Sequence, residues 1–122
     1  MNHNQLQHLL YAAIAGICGS SAGLFGKIGM VVDKIFNKNQ VIIVNIVRFL
    51  MIVLVILSNV GVWLMYTRSL QFGSTLISTG ISIASNYIFT ALAGILLFEE
   101  SFSIMWACGI LSIMSGVVLM SV

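Results

Sequence analysis

Four apolar runs dominate the chain, at roughly 9–32, 41–66, 74–98 and 102–121. Short polar stretches separate them. A helix of about 20 residues crosses the roughly 30 Å hydrocarbon core of a bilayer, and every run reaches that length. The pattern predicts an all-α membrane protein with four transmembrane helices, folded as a single domain over 1–122. Residues 1–8, MNHNQLQH, read as a polar tail. DKIFNKNQ (33–40) and TRSLQFG (67–73) read as connections of ordinary length.

The third run is the most patterned, and the other helices are expected to pack around it. Ser74, Ser78, Ser82 and Ser85/Asn86 recur at steps of three or four, which places them on one helical face. Hydroxyls and an amide are costly to point at lipid, so that face should look inward, toward other helices or a wet cavity. Leu76, Ile83, Tyr87 and Leu97 should face outward.

The first run is dense in glycine. Gly16, Gly19, Gly23 and Gly26 share a stripe, and Gly19-x-x-x-Gly23 has the small-xxx-small spacing that lets helix backbones approach closely in lipid. Gly109, Ser112 and Gly116 form a second such face on the fourth run, suited to another helix or to a second copy of the chain. Lys27 lies about a turn and a half from the end of the first run. It either snorkels to the headgroups or lines a cavity and meets an anion. Arg48 reads as an interfacial anchor or as half of a buried pair, and Trp63 and Tyr66 as members of an aromatic belt. Glu99 and Glu100 close the third run in a tight turn, with Ser101 or Ser103 able to cap the fourth.

Composition agrees with the pattern. Sixty per cent of the residues are hydrophobic, only 7% are charged, and the mean hydropathy is +1.12. A soluble chain of 122 residues has too little interior for that much apolar surface. A net charge of +2 without a basic run argues against nucleic acid as a partner. Cys18 and Cys108 lie in apolar runs and read as small hydrophobes rather than as a disulfide. Small residues near Gly19–Ser21 resemble a signal-peptide cleavage region. However, a basic leader is missing and the apolar pattern runs past it, so the run reads as a membrane span. Lys34 and Lys38 outweigh Arg68 only slightly, which gives a weak preference for both termini outside. No targeting signal is visible, and plasma membrane and endomembrane are equally compatible with the sequence.

Little here points to chemistry. His3 and His8 sit in the tail with no Cys or carboxylate spaced to complete a metal site, so no metal and no other cofactor is expected. Nucleophile-elbow and phosphate-loop motifs are absent, and the chain is not expected to be an enzyme. What remains is a polar stripe, two glycine faces and one cation near a rim. The candidate substrate-binding residues are Lys27, Ser78, Ser82 and Asn86. The helix-packing or dimer residues are Gly19, Gly23, Gly109 and Gly116.

From Tyr66 to Met120 the chain resembles the last part of an EamA-type repeat of the drug/metabolite transporter superfamily. Gly109 and Gly116 match a closing G-x(6)-G spacing and Glu100 an acidic turn. GLFGKIG (23–29) looks like the basic end of that repeat's first helix, and VRFL (47–50) like its second-helix arginine motif. YTRSL, TGISIASNYIFTALAG and LFEES look closer still to the transmembrane protein 42 family, a small four-helix branch. The resemblance to the superfamily implies a small-molecule or lipid-linked transporter; that to the transmembrane protein 42 family adds fold rather than substrate. The related small multidrug resistance transporters work as antiparallel dimers and depend on a glutamate in their first helix. Gly19 stands at the corresponding position here. The missing carboxylate leaves open a membrane scaffold or partner subunit that keeps the fold without a site.

Overall fold

A computed structural model describes residues 3–35, 41–99 and 103–121. Those residues form four α-helices: α1 (His3–Ile35), α2 (Val41–Phe72), α3 (Thr75–Phe98) and α4 (Ile104–Ser121). The all-α expectation holds. The two long helices, of 33 and 32 residues, rise about 50 Å each, well beyond the hydrocarbon thickness. Three helices are long and apolar enough to cross a membrane. The fourth, with 18 residues, rises about 27 Å.

Two boundaries depart from the sequence expectation. The segment read as a polar tail is helical from His3 onward, and the segment read as the second connection is helical as far as Phe72. The cause is shared: His8 and Ser69 find partners across the bundle, and helical backbone is what carries them there. The connection between α2 and α3 shrinks to Gly73 and Ser74. Glu100 and Ser101 lie outside the described residues, as do all the positions between α1 and α2, 36–40. At the end of α3, Glu99 takes a left-handed conformation (φ 50°) and its N–H donates to the Gly94 carbonyl, the bond that closes a helix C-terminus. The Ser103 carbonyl accepts from the Ala107 N–H at the start of α4.

The packing centre is α1, not α3. It lies against both α2 and α3, whereas α4 touches α3 alone among the described residues. Small side chains explain the choice. Ala12, Ala15, Gly16, Ser20, Ala22 and Gly29 are all buried on α1, and they let two neighbours reach its backbone. Gly16 marks the closest approach. A Cβ there would collide with the Ser82 carbonyl and come within 2.6 Å of Ser85 Cβ. The glycine stripe is therefore divided rather than shared. Gly16 and Gly19 meet α3, Gly29 meets Met51 of α2 at what would be 3.1 Å, and Gly23 faces open space.

Elsewhere the surface is apolar. Leu96, Ile104, Met105 and Leu119 are each more than three-quarters exposed, as are Met30 and Ile42. Such a continuous apolar exterior needs lipid rather than water around it. The chain is an integral membrane protein. The inward and outward faces expected for α3 agree with this placement except at Ser74, which precedes the helix as its N-cap and is exposed. Ser78 is buried and Ser82, Ser85 and Asn86 are half-buried, while Leu76, Ile83, Tyr87 and Leu97 are exposed.

Gly16→Leu should destabilise the bundle by about 1–3 kcal/mol, the usual cost of overpacking. Gly23→Leu should stay within about 0.5 kcal/mol of the native chain, as a surface change does. Unfolding in mixed micelles, followed by circular dichroism, separates the two; equal effects would contradict the packing described here.

Candidate functional site

The polar side chains gather at one end of the bundle, where α1 begins, α2 ends and α3 begins. His8 Nε2 lies 2.7 Å from Ser78 Oγ, Ser78 Oγ lies 2.9 Å from Ser69 Oγ, and Ser69 Oγ donates to the His8 carbonyl at 2.9 Å. All three residues are buried. The proton directions follow from chemistry. A carbonyl only accepts, so the single hydroxyl proton of Ser69 is spent on the His8 oxygen. Ser69 must then accept from Ser78, and Ser78 must accept from His8 Nε2–H. The bonds form a closed ring that leaves His8 through its imidazole and returns to its own backbone.

Two neighbours fit around the ring. Gly73 makes room for the imidazole: a Cβ there would sit 2.6 Å from His8 Cε1 and Nδ1. Tyr11, one turn after His8, stacks on Phe72, with centroids 6.0 Å apart and planes 18° from parallel. Deeper in the bundle, the Tyr66 hydroxyl lies 2.6 Å from Thr79 Oγ1, and Thr79 also donates to the Thr75 carbonyl. A lateral cavity of about 240 Å³ opens between α2 and α3 beside this pair, lined by Val62, Trp63, Tyr66, Thr79, Ser82 and Ile83.

The residues expected to bind a substrate do not converge. Ser78 belongs to the buried ring, with its hydroxyl fully occupied. Ser82 reaches the lateral cavity. Asn86 packs against Gly19, its amide nitrogen 3.1 Å from where a Cβ would be, and its carbonyl oxygen accepts from Thr90 Oγ1 at 3.2 Å. Lys27 lies at the opposite end, its ammonium 3.9 Å from the centroid of the Phe98 ring, a cation–π contact. Phe98 follows Ser78 by twenty positions, about 30 Å along α3. Lys27 and Ser78 thus stand near the two mouths of one helix and not in one pocket.

The expected packing glycines also differ among themselves. Gly19 meets Asn86, while Gly23, Gly109 and Gly116 have nothing within 4 Å of an added Cβ. On α4 the hydroxyls bond within their own helix, Ser112 to the Cys108 carbonyl and Ser115 to the Ser112 carbonyl, each at 2.9 Å. Cys18 and Cys108 are free thiols. Cys18 fills the space above Gly61, with Sγ 3.3 Å from where a Cβ would be.

Sequence reasoning missed His8, Ser69 and Gly73. A signal for His8 existed, because His8, Ala12, Ala15, Gly19 and Ala22 recur at steps of three and four. The buried stripe of α1 therefore starts with the histidine rather than after it. Ser69 had no such signal inside TRSLQFG.

Ser78→Ala should cost about 1–3 kcal/mol, because it strands the His8 donor. Ser82→Ala should cost well under 1 kcal/mol. In a double-mutant cycle, His8→Ala and Ser78→Ala should couple by at least about 0.5 kcal/mol in micelle unfolding. Strict additivity would mean that the ring contributes nothing.

No family model matches the chain, and comparisons with curated proteins and with solved structures find no match.

Proposed function

We propose that the chain is a small transporter of the drug/metabolite type, with all four helices crossing the membrane, and that it works as a dimer on a small-molecule or lipid-linked substrate. The observation that carries this reading is the lateral cavity between α2 and α3, with Ser82, Thr79 and Tyr66 on its wall. It places hydroxyls on an otherwise apolar flank of the bundle. Its open side needs a second surface to make a pocket. The loosely held α4, with Gly109 and Gly116 open, supplies a face on which a second copy can pack closely. The resemblance to the drug/metabolite transporter superfamily supports the same reading. Lys27, about 30 Å along the path, is placed to attract an anionic group at the far mouth.

A second reading, a non-transporting partner subunit, draws on a different observation. Ser85 and Asn86 press against Gly16 and Gly19, so this part of the polar face serves helix packing. Gly19, moreover, stands where a proton-coupled relative needs a carboxylate.

With Cys18 and Cys108 replaced, single cysteines at Ser82 and Asn86 separate the readings. For the transporter, Ser82→Cys should react with a membrane-impermeant thiol reagent and Asn86→Cys should react at least about tenfold more slowly. A cysteine at Gly116 should cross-link to its own copy in native membranes. Protection of Ser82→Cys together with cross-linking to a different protein would favour the partner subunit.

A further inference from the structure

The groove between the second half of α1 and the first half of α2 is separate from the polar ring and from the cavity beside Ser82. It encloses about 360 Å³, within the roughly 300–1,000 Å³ of small-molecule sites. Its floor is glycine. A Cβ at Gly26 would meet only Val55, at 4.0 Å, so the space above Gly26 is empty because that residue has no side chain. Gly29 continues the floor toward the end of α1. The groove opens sideways, since Met30, Ile52 and Ile56 on its rim are 82%, 51% and 58% exposed.

The lining is ordered by polarity. Arg48 is its one charged residue. Ile52 and Ile56 follow it at steps of four along the same face of α2, about 12 Å from first to last. α2 starts at Val41, so Arg48 lies nearer the membrane surface and Ile56 deeper. A cation at the surface with an apolar trough running inward has the polarity profile of a phospholipid: anionic phosphate outside, acyl chain toward the midplane. A guanidinium is suited to that phosphate, because its fork of donors matches two phosphate oxygens. Lys27, on the neighbouring face, reaches Phe98 on α3 instead of this groove.

We infer that the α1–α2 groove binds one anionic phospholipid from the bilayer, with its headgroup phosphate on Arg48 and one acyl chain over Gly26. The site is independent of the transport reading.

The test uses the full chain, purified in detergent, stripped of lipid and titrated with dioleoyl phosphatidylglycerol or dioleoyl phosphatidylcholine under native mass spectrometry. One phosphatidylglycerol should bind per chain, about tenfold tighter than phosphatidylcholine. Arg48→Gln should weaken phosphatidylglycerol about tenfold and phosphatidylcholine less, because choline offsets the charge of its phosphate, so that the preference falls to about one. Gly26→Leu, which fills the trough, should weaken both lipids by about tenfold or more at unchanged helical circular dichroism. If Gly26→Leu fails to fold, the Arg48→Gln comparison decides alone. Equal retention of the two lipids by the native chain overturns the proposal, as does an undiminished preference in Arg48→Gln. Glycerol phosphate binding as tightly as the lipid would make this a free-phosphate site and sink the lipid assignment. A dimer that forms in place of the lipid adduct, and is lost in Gly26→Leu, would assign the groove to a second copy and equally overturn it.

Discussion

The bundle depends on one closed ring of three hydrogen bonds, from the His8 imidazole through Ser78 and Ser69 back to the His8 carbonyl. Between apolar helices in lipid, nothing resembling the hydrophobic effect draws one to another, so packing and hydrogen bonds must do it. This ring ties α1, α2 and α3 at one end and leaves no polar atom of the three side chains without a role except Nδ1 of the imidazole. It also fixes geometry. Ser69 and Ser78 can meet only if α2 and α3 turn sharply between them, and the imidazole can enter only because Gly73 has no Cβ. Net worth per bond is about 1 kcal/mol, but the cost of breaking the ring inside the bundle is larger than of never forming it.

From that end the rest of the architecture follows. With the three helices held together at their polar end, the small residues of α1 bring α3 close at Gly16 and Gly19 and α2 close at Gly29. The helices then separate on their outer flanks, which leaves shallow spaces between α2 and α3 and between α1 and α2. Those spaces are lateral, on the flanks of the bundle rather than along its axis. The fourth helix lies outside this scheme, joined to α3 alone among the described residues, with the Ser112 and Ser115 hydroxyls bonded within their own helix.

The helices and their inward faces were legible in the sequence because apolar length and three–four periodicity are local properties. The face of α3 bearing Ser78, Ser82 and Asn86 could be read from spacing alone. What each residue does on that face could not. Ser78, Ser82 and Asn86 look alike in sequence, yet one closes a buried ring, one borders a cavity and one presses on a glycine. Those fates are decided by residues on other helices, His8 for Ser78, Gly19 for Asn86 and the α2 residues Val62, Trp63 and Tyr66 for Ser82, and no spacing rule within one helix reaches them. The choice of α1 over α3 as the packing centre was hidden for a related reason. A glycine advertises the possibility of close approach but not which neighbour arrives, and Gly23, in the middle of the stripe, receives none.

The ring also constrains how the chain is made. Synthesis runs from the N-terminus, and 70 positions separate His8 from Ser78. When α1 first reaches the membrane its imidazole has no partner, and it must wait until α2 and the start of α3 have emerged. Placement near the end of a helix makes that wait tolerable, because the headgroup region can hydrate the ring in the meantime. The same histidine at the middle of α1 would burden insertion with an unmatched polar group in hydrocarbon. Assembly is thereby given an order: α1 can pack on α2 first, and its histidine is satisfied only when the turn at Gly73 brings Ser78 beside Ser69.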